Sequence, residues 1–434
     1  MAAMRRGGKR EPGRAGAALL PVPGPSRDLI ERAAALARRR GTRLAWVGGG
    51  VRDLLLGRDT VDLDLALEGD AAAFAADLAA ELGGRLTEHS RFLTAALELP
   101  DGRVLDLARC RRETYPAPGV LPTVEPASLE EDLARRDFSI NALAVQLAPG
   151  DPAVLDPTGG AADLAAGRLR ALHAASFLDD PTRVLRGLRF ELRFGFRFES
   201  ETHAWVRAAL AAGALDTISG ERLRRELGLA CESWPNLSSL FERAAQLGLL
   251  AAIDPGLSWT RQAAARIDRA ARVAVEPAFE RLAPERWLVG LLGLEPSAEV
   301  RLRLLRRLAI AGRVAEVLRG CGPRVAAART LLSSEPPPAP HRVARALEAA
   351  SPEELCCLAA EGGAVARWVR RFLEELRPLS LRVRGEDLLR EGLPAGPEIG
   401  AALRATLEAR QDGRIAVEQE LQFACEVWGR ESAR

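Results

Sequence analysis

The chain has 434 residues, 47% of them apolar, and a formal net charge of +2. That length suits roughly two to four domains with a substantial core, and so small a charge means that any surface for a polyanion must be local. Its six cysteines show no Cys-x-x-Cys or zinc-like spacing and suit a reducing cytosol. No apolar run approaches membrane-spanning length.

Residues 1–27 are basic and rich in Gly, Pro and Ala, and their apolar part, Ala15 to Val22, is interrupted by Gly16 and Pro21. They read as a disordered leader and not as a signal peptide. The first strong pattern is Leu44-Ala45-Trp46-Val47-Gly48-Gly49-Gly50-Val51-Arg52-Asp53, an apolar strand, a glycine turn and a helix expected from about Val51. Gly48 and Gly49 let a backbone approach a polyphosphate without a Cβ in the way. The helix start aims unpaired N–H groups at an anion, and Arg52 adds a bidentate phosphate donor. Asp53 reads as a first-turn carboxylate favoured by the helix dipole. A plain strand-to-helix turn would use glycines in the same way.

Val61-Asp62-Leu63-Asp64-Leu65-Ala66-Leu67 alternates as a strand. Asp62 and Asp64 then share one face, with Cα atoms about 6.6 Å apart. Both can converge on a pair of cations, and Mg2+ fits best because it takes oxygen ligands and shares them with substrate phosphates. Asp106, in the alternating segment Arg103 to Ala108, supplies a third carboxylate. Alone, an Asp-x-Asp pair is ordinarily a solvated strand face; beside a phosphate cradle it suggests nucleotidyl transfer from a nucleoside triphosphate.

Glu113 to Glu131 is long and carries Pro116, Pro118, Pro122 and Pro126, which reads as a loop. Arg135-Arg136-Asp137-Phe138-Ser139-Ile140-Asn141 follows. In Asp179-Asp180-Pro181-Thr182-Arg183, Asp180 suits an N-cap with Pro181 at the first helical position. Arg186 and Arg189 follow at spacing three, which on a straight helix carries Arg189 to roughly the far side from Asp180. Beyond about Asp156 strand signals fade into amphipathic helices. Glu335-Pro336-Pro337-Pro338-Ala339-Pro340, Arg377-Pro378 and Leu393-Pro394-Ala395-Gly396-Pro397 mark turns between them. Lys9 is the only lysine, a bias that fits a GC-rich genome.

The glycine turn with Asp62-x-Asp64 resembles the first motif of class II tRNA nucleotidyltransferases and the related bacterial poly(A) polymerases. Arg135 to Ala142 resembles their ribose-contacting motif, Asp179 to Phe190 their base-reading motif, and Ser219 to Leu227 the helix that braces it. A weaker likeness covers Gly385 to Gly400. The order of the motifs is more specific than any one of them. The family usually has Glu-Asp where this chain has Asp179-Asp180.

The resemblance implies an α+β fold: a polymerase-β-like head at 28–157, a helical neck at 158–250, a body at 251–375 and a tail at 376–434. It implies template-independent addition of C and A from CTP and ATP to the 3′ end of tRNA in the cytoplasm. The tRNA 3′-OH would attack the α-phosphorus, with cations at Asp62 and Asp64 lowering its pKa and stabilising pyrophosphate and Asp106 as the third catalytic carboxylate. Arg136 would contact the nucleotide, and Asp137 and Asn141 would fix the ribose, whose 2′-OH needs a polar partner. Asp180 and Arg183 would read the Watson–Crick edge, Asp accepting from the exocyclic amine that C and A share. Arg186 and Arg189 would reach the nucleotide or its phosphates. The helical part would grip the acceptor and TΨC arms through shape and backbone, with Arg301-Leu302-Arg303 and Arg306-Arg307 as candidate basic faces. The segment from Glu113 to Glu131 resembles the family's flexible loop, which C-only enzymes lack, so the chain should be able to add A. The poly(A) polymerase signature Gly-basic-basic-Phe is missing: the comparable places read Gly83-Gly84-Arg85-Leu86 and Ser90-Arg91-Phe92. Addition of the final A alone, poly(A) polymerase activity and a silent RNA-binding protein remain alternatives. No membrane and no stable protein partner are expected.

Overall fold

The structure, a computed structural model, describes residues 24–58, 63–89, 93–232 and 236–432. Of the expected features, most of the leader, Asp62 and Ser90 to Phe92 lie outside them. The chain divides into two compact units, Met1–Ala209 and Leu210–Arg434; the division falls inside the stretch 158–250.

The first unit is built on a seven-stranded sheet. Its strands are β1 (Leu44–Val47), β2 (Asp64–Leu67), β3 (Arg85–His89), β4 (Thr94–Glu98), β5 (Val104–Arg109), β8 (Ala144–Ala148) and β9 (Ala153–Leu155), in the order β3-β4-β5-β2-β1-β8-β9. β1 is buried along its whole length, as its unbroken apolar run requires of a strand covered on both faces. It pairs antiparallel with β2 and β8. β2 and β5 run parallel, with Asp64 opposite Asp106 and Leu65 opposite Leu107. Along β5, exposed Val104 and Asp106 alternate with buried Leu105 and Leu107, the facing that the sequence predicts.

Helices cover the sheet. α1 (Gly24–Arg40) buries Leu29, Ala33 and Ala37, so ordered helix begins within the last residues of the expected leader. α2 (Gly49–Leu55) begins two residues before the expected Val51, directly after Gly48 at φ 77°. α3 (Ala71–Leu82) is Ala-rich, is capped by the Asp70 side chain on Ala73 N, and buries Phe74 and Leu78.

The proline-rich stretch is more ordered than a loop reading allows. β6 (Arg111–Thr114) and β7 (Thr123–Pro126) form an antiparallel two-stranded ribbon. The prolines are tolerated because Pro116, Pro118 and Pro122 lie between the strands and Pro126 at the end of one. α4 (Leu129–Ala134) follows, opened by a capping box between Ser128 and Glu131, a Ser-x-x-Glu signature readable in the sequence. Next come α5 (Gly160–Ala166), α6 (Ser176–Asp179), α7 (Thr182–Phe194) and α8 (Ser200–Ala211). A small parallel pair, β10 (Arg168–Leu169) with β11 (Arg197–Phe198), lies among them. α7 packs closely because Gly187 has no side chain: a Cβ there would sit 2.5 Å from the Phe198 ring and 2.8 Å from Phe138.

The second unit is helical throughout its described residues, from α9 (Gly220–Glu232) to Glu420–Ser432. The helix Arg261–Ala274 packs against Arg286–Gly293 and Pro352–Ala359, burying Ile267, Leu288 and Leu355. The proline breakers fall between helices as expected, with Pro340 and Pro397 each opening one. The last three α-helices gather around Leu388, Ala402 and Ala424.

Candidate active site

Asp64 and Asp106 stand side by side because β2 and β5 are parallel neighbours in this register, about 4.8 Å apart along the hydrogen-bonding direction. Both line a cleft of about 330 Å³ with Val47, His89, Thr94 and Arg136. Asp64 is half-buried and Asp106 exposed. The glycine bend closes the cleft from one side: a Cβ on Gly48 would lie 3.6 Å from Asp64 Oδ2 and 3.0 Å from Arg136 Nη1. With φ at 77°, Gly48 is also in a conformation that other residues adopt only with strain. The absent side chain therefore leaves a gap between a carboxylate and a guanidinium. Two oxygen donors on adjacent strands suit a hard divalent cation. Among the described residues no cluster of three or more metal-ligating side chains is gathered; Asp62, the third expected member, lies outside them.

Arg136 is held in the cleft wall by Nη2 donating to Asp132 Oδ2 at 2.9 Å and Nη1 donating to the Asn141 carbonyl at 3.5 Å. Its Nε is buried with no hydrogen-bond partner among the described residues.

The Arg52 guanidinium lies against the glycine turn, its Nη2 3.5 Å from the place of a Gly49 Cβ, but it is bonded inward. It is 4% exposed. Nε donates to Asp53 Oδ1 at 2.9 Å and Nη1 to Asn141 Oδ1 at 2.7 Å. The guanidinium also lies over the rings of Phe190 and Phe194, at 5.2 and 4.7 Å. Burial lowers its pKa and the Asp53 carboxylate opposes that shift. The physical reason is proximity: a buried carboxylate one residue away and two aromatic faces claim the side chain. Asp53, in turn, is fixed by Arg52 and Arg193, a structural role resting on two ion pairs.

Asp137 and Asn141 sit together behind the cleft. Asp137 Oδ1 accepts from Asn141 Nδ2 and Phe138 N, and Oδ2 accepts from Arg186 Nε and Nη2 at 2.9 and 2.7 Å. Burial pushes the Asp137 carboxyl up, but Arg186 and the Asn141 amide outweigh it and hold the pKa at about 2. A continuous chain of polar contacts thus runs Arg193–Asp53–Arg52–Asn141–Asp137–Arg186, joining α2 and the segment 137–141 to α7.

At the foot of α7 the Asp180 carboxylate accepts from Thr182 N and Oγ1 at 3.1 and 2.6 Å; the helix starts at Thr182 with Pro181 as its N-cap, one residue later than the expected cap at Asp180. Arg183 is buried, donating to Ser176 Oγ at 2.7 Å and to the Arg135 carbonyl at 3.0 Å. Neither contact leaves it reaching outward as a base-reading donor in this state. Arg189 is half-buried and lies 5.7 Å from the Phe190 ring. The β6–β7 ribbon meets this region: Gly119 N donates to the Leu178 carbonyl at 3.1 Å.

Sequence reasoning overlooked Asp132, Glu113 and Tyr115. Glu113 accepts from Arg135 at 2.7 Å and from the Tyr115 hydroxyl at 2.9 Å, and burial beside that carboxylate raises the tyrosine pKa. The Ser128–Glu131 capping signature places Asp132 in a helix but not its partners.

In the second unit the candidate basic face is largely used internally. Arg301 donates to the Leu318 and Pro296 carbonyls, Arg303 pairs with Asp254 and Glu299, and Arg307 donates to the Leu215 carbonyl; Arg306 is exposed. All six cysteines are free thiols. No described helix is long and apolar enough to cross a membrane.

Residues 44–170 match the model of the poly A polymerase head domain. An A-adding tRNA nucleotidyltransferase of Geobacter sulfurreducens is 36% identical over 391 residues, covering 86% of this chain and 44% of that protein, so the chain spans less than half of that relative's length. A CCA-adding enzyme in its apo form superposes with a TM-score of 0.80 at 32% identity, covering 91% of this chain and 94% of that one. The Thermotoga maritima CCA-adding enzyme complexed with tRNA does so with a TM-score of 0.75 at 30% identity, covering 93% and 95%. With the ordered motifs and the polymerase-β-like head that carries them, these likenesses show that the chain belongs to the class II tRNA nucleotidyltransferase and bacterial poly(A) polymerase family.

Proposed function

We propose that this chain transfers C and A from CTP and ATP to the 3′ end of tRNA without a nucleic-acid template, releasing pyrophosphate, and that it does so in the cytoplasm. The observation that carries the reading is the pairing of Asp64 with Asp106 across parallel strands beside the gap left by Gly48. A glycine bend next to two carboxylates accommodates a triphosphate and its counter-ions, and the CCA-adding relatives share this architecture over nearly their whole length.

Asp62, Asp64 and Asp106 would hold Mg2+. When bound, it would supply charge neutralisation for the attacking hydroxyl and the leaving pyrophosphate. The Gly48 N–H donates to the Leu143 carbonyl, so the glycine bend would serve by leaving space for phosphate oxygens where a Gly48 side chain would stand, with Gly49 opening α2 beside it and Arg136 donating from the opposite wall. Asp137 and Asn141 shape the ribose side, braced from behind by Arg52. Asp180 and Arg183 select the base and Arg186 and Arg189 contact the nucleotide once the base displaces their internal contacts; α7 is the element that must adjust. Positioning and electrostatics carry the rate, with no covalent nucleophile. The helical unit takes the acceptor and TΨC arms.

A second reading, addition of the terminal A alone, is favoured by the name of the Geobacter relative. Radiolabel incorporation on three RNAs separates the readings. Full addition predicts labelling of tRNA lacking its CCA end and of tRNA ending in CC, each with a strict stop. A-only activity labels just the second. Long tails on an unstructured RNA would indicate a poly(A) polymerase, and no label on any RNA would reject the proposal.

A further inference from the structure

We propose that Asp132 is a positioning residue for nucleotide binding: its Oδ2 holds the Arg136 guanidinium against the cleft, where Arg136 meets a phosphate oxygen of the incoming nucleoside triphosphate. The inference rests on the proposed function and adds a residue and a role to it.

Asp132 is 1% exposed and divides its two oxygens between different tasks. Oδ1 accepts from Arg135 Nε at 3.0 Å, Arg135 Nη2 at 2.7 Å and Arg111 N at 3.3 Å. Oδ2 accepts from Arg136 Nη2 at 2.9 Å. A buried carboxylate facing two guanidinium groups stays ionised: burial pushes its pKa up, but Arg136 and Arg135 bring it below the usual value. α4 ends at Ala134 with Arg135 as its C-cap, so Arg136 is the first residue beyond the helix. Four residues on from Asp132, its guanidinium is held by donating to that carboxylate.

That bond leaves Arg136 donors available on the cleft side. Nη1 has a long contact of 3.5 Å to the Asn141 carbonyl and lies 3.0 Å from the place a Gly48 Cβ would occupy, while Nε is buried without a partner among the described residues. A phosphate oxygen in the gap between Gly48, Arg136 and Asp64 would take a charge-assisted bond from Nη1, the guanidinium nitrogen that faces that gap.

The test is a double-mutant cycle on the full chain, read as KM and kcat for ATP with tRNA ending in CC, and as ATP affinity by calorimetry. Asp132→Asn keeps the size of the side chain and removes its charge. It is expected to lower kcat/KM for ATP by about 100-fold, the scale of a misplaced substrate-orienting group, mainly through KM. In an Arg136→Gln background the same change should add less than about 3-fold, because coupled residues are not additive. An Arg135→Gln background should leave the full effect of Asp132→Asn in place. Equal costs with and without Arg136, or an unchanged KM, would overturn the assignment. Should Asp132→Asn lose its fold, Asp132→Glu replaces it: the carboxylate is kept but displaced, and KM is expected to rise about 10-fold, with no change again overturning the proposal. Incorporation by the unsubstituted chain tests the proposed function separately. Its absence defeats that reading and this assignment with it, whereas incorporation with an additive cycle defeats the assignment alone.

Discussion

In the cleft over β2 and β5, Asp106 is exposed, Asp64 is half-buried and Arg136 keeps a buried Nε without a partner among the described residues. Behind it, between α2 and α7, Arg52, Asp53, Asp137 and Asn141 are buried and bonded to one another. Both regions are rich in Asp and Arg, yet in one the carboxylates line an open cleft while in the other buried charges tie elements together. A buried ion pair is costly to break on one side, whereas an exposed carboxylate adds little to stability. Substitutions in the two regions should therefore separate activity from stability.

The largest effect belongs to the cleft. Asp106→Ala should lower incorporation by more than about 1000-fold, since several kcal/mol of charge stabilisation would be lost, while the melting temperature stays within about 2 °C of the parent. A melting temperature that falls with the activity would mean that the carboxylate is structural. Behind the cleft the pattern inverts. Arg52→Ala should cost about 3 kcal/mol, because it leaves the buried Asp53 with Arg193 alone and takes the donor from Asn141 Oδ1; the urea midpoint measures it, and an unchanged midpoint would contradict the bracing role.

The two regions also differ in what their sequence reveals. The facing of Asp106 is readable because strands alternate with period two and Leu105 and Leu107 have to go inward. The bend at Gly48 is readable because few other residues take its φ. The split between Arg136 and Arg52 is not. Each is an arginine followed directly by an Asp. What separates them is which acceptors reach them: the Asp53 carboxylate and the Asn141 amide oxygen for one, the Asp132 carboxylate for the other, and only Asn141 comes from a distant position. The ribbon formed by β6 and β7 escaped notice because its prolines read as a loop, although three of them lie between the strands. Gly187 is visible in the motif, but its reason, contact with the Phe198 ring, needs the fold.

Acid sharpens the contrast. The Asp137 pKa is depressed to about 2, so its contribution is present above the unfolded value near 4 and is lost as pH falls through about 2. Allowing for the partly exposed Arg186, it amounts to about 1–2 kcal/mol. Arg186→Ala should move the acid-unfolding midpoint to higher pH, and a midpoint that stays put would show that Arg186 does not set the titration. The smallest effect lies at the edge of the cleft's support: Ser128→Ala should cost about 1 kcal/mol through the lost capping box, measured by thermal melting, with incorporation kept.

The most direct test compares labelled ATP incorporation into tRNA ending in CC by the unsubstituted chain and by Asp64→Ala, with tRNA binding measured on the same samples. The account predicts label with the first, none with the second, and equal tRNA affinity for both. Label incorporated by Asp64→Ala would contradict the assignment of the cleft over β2 and β5 as the centre of the reaction.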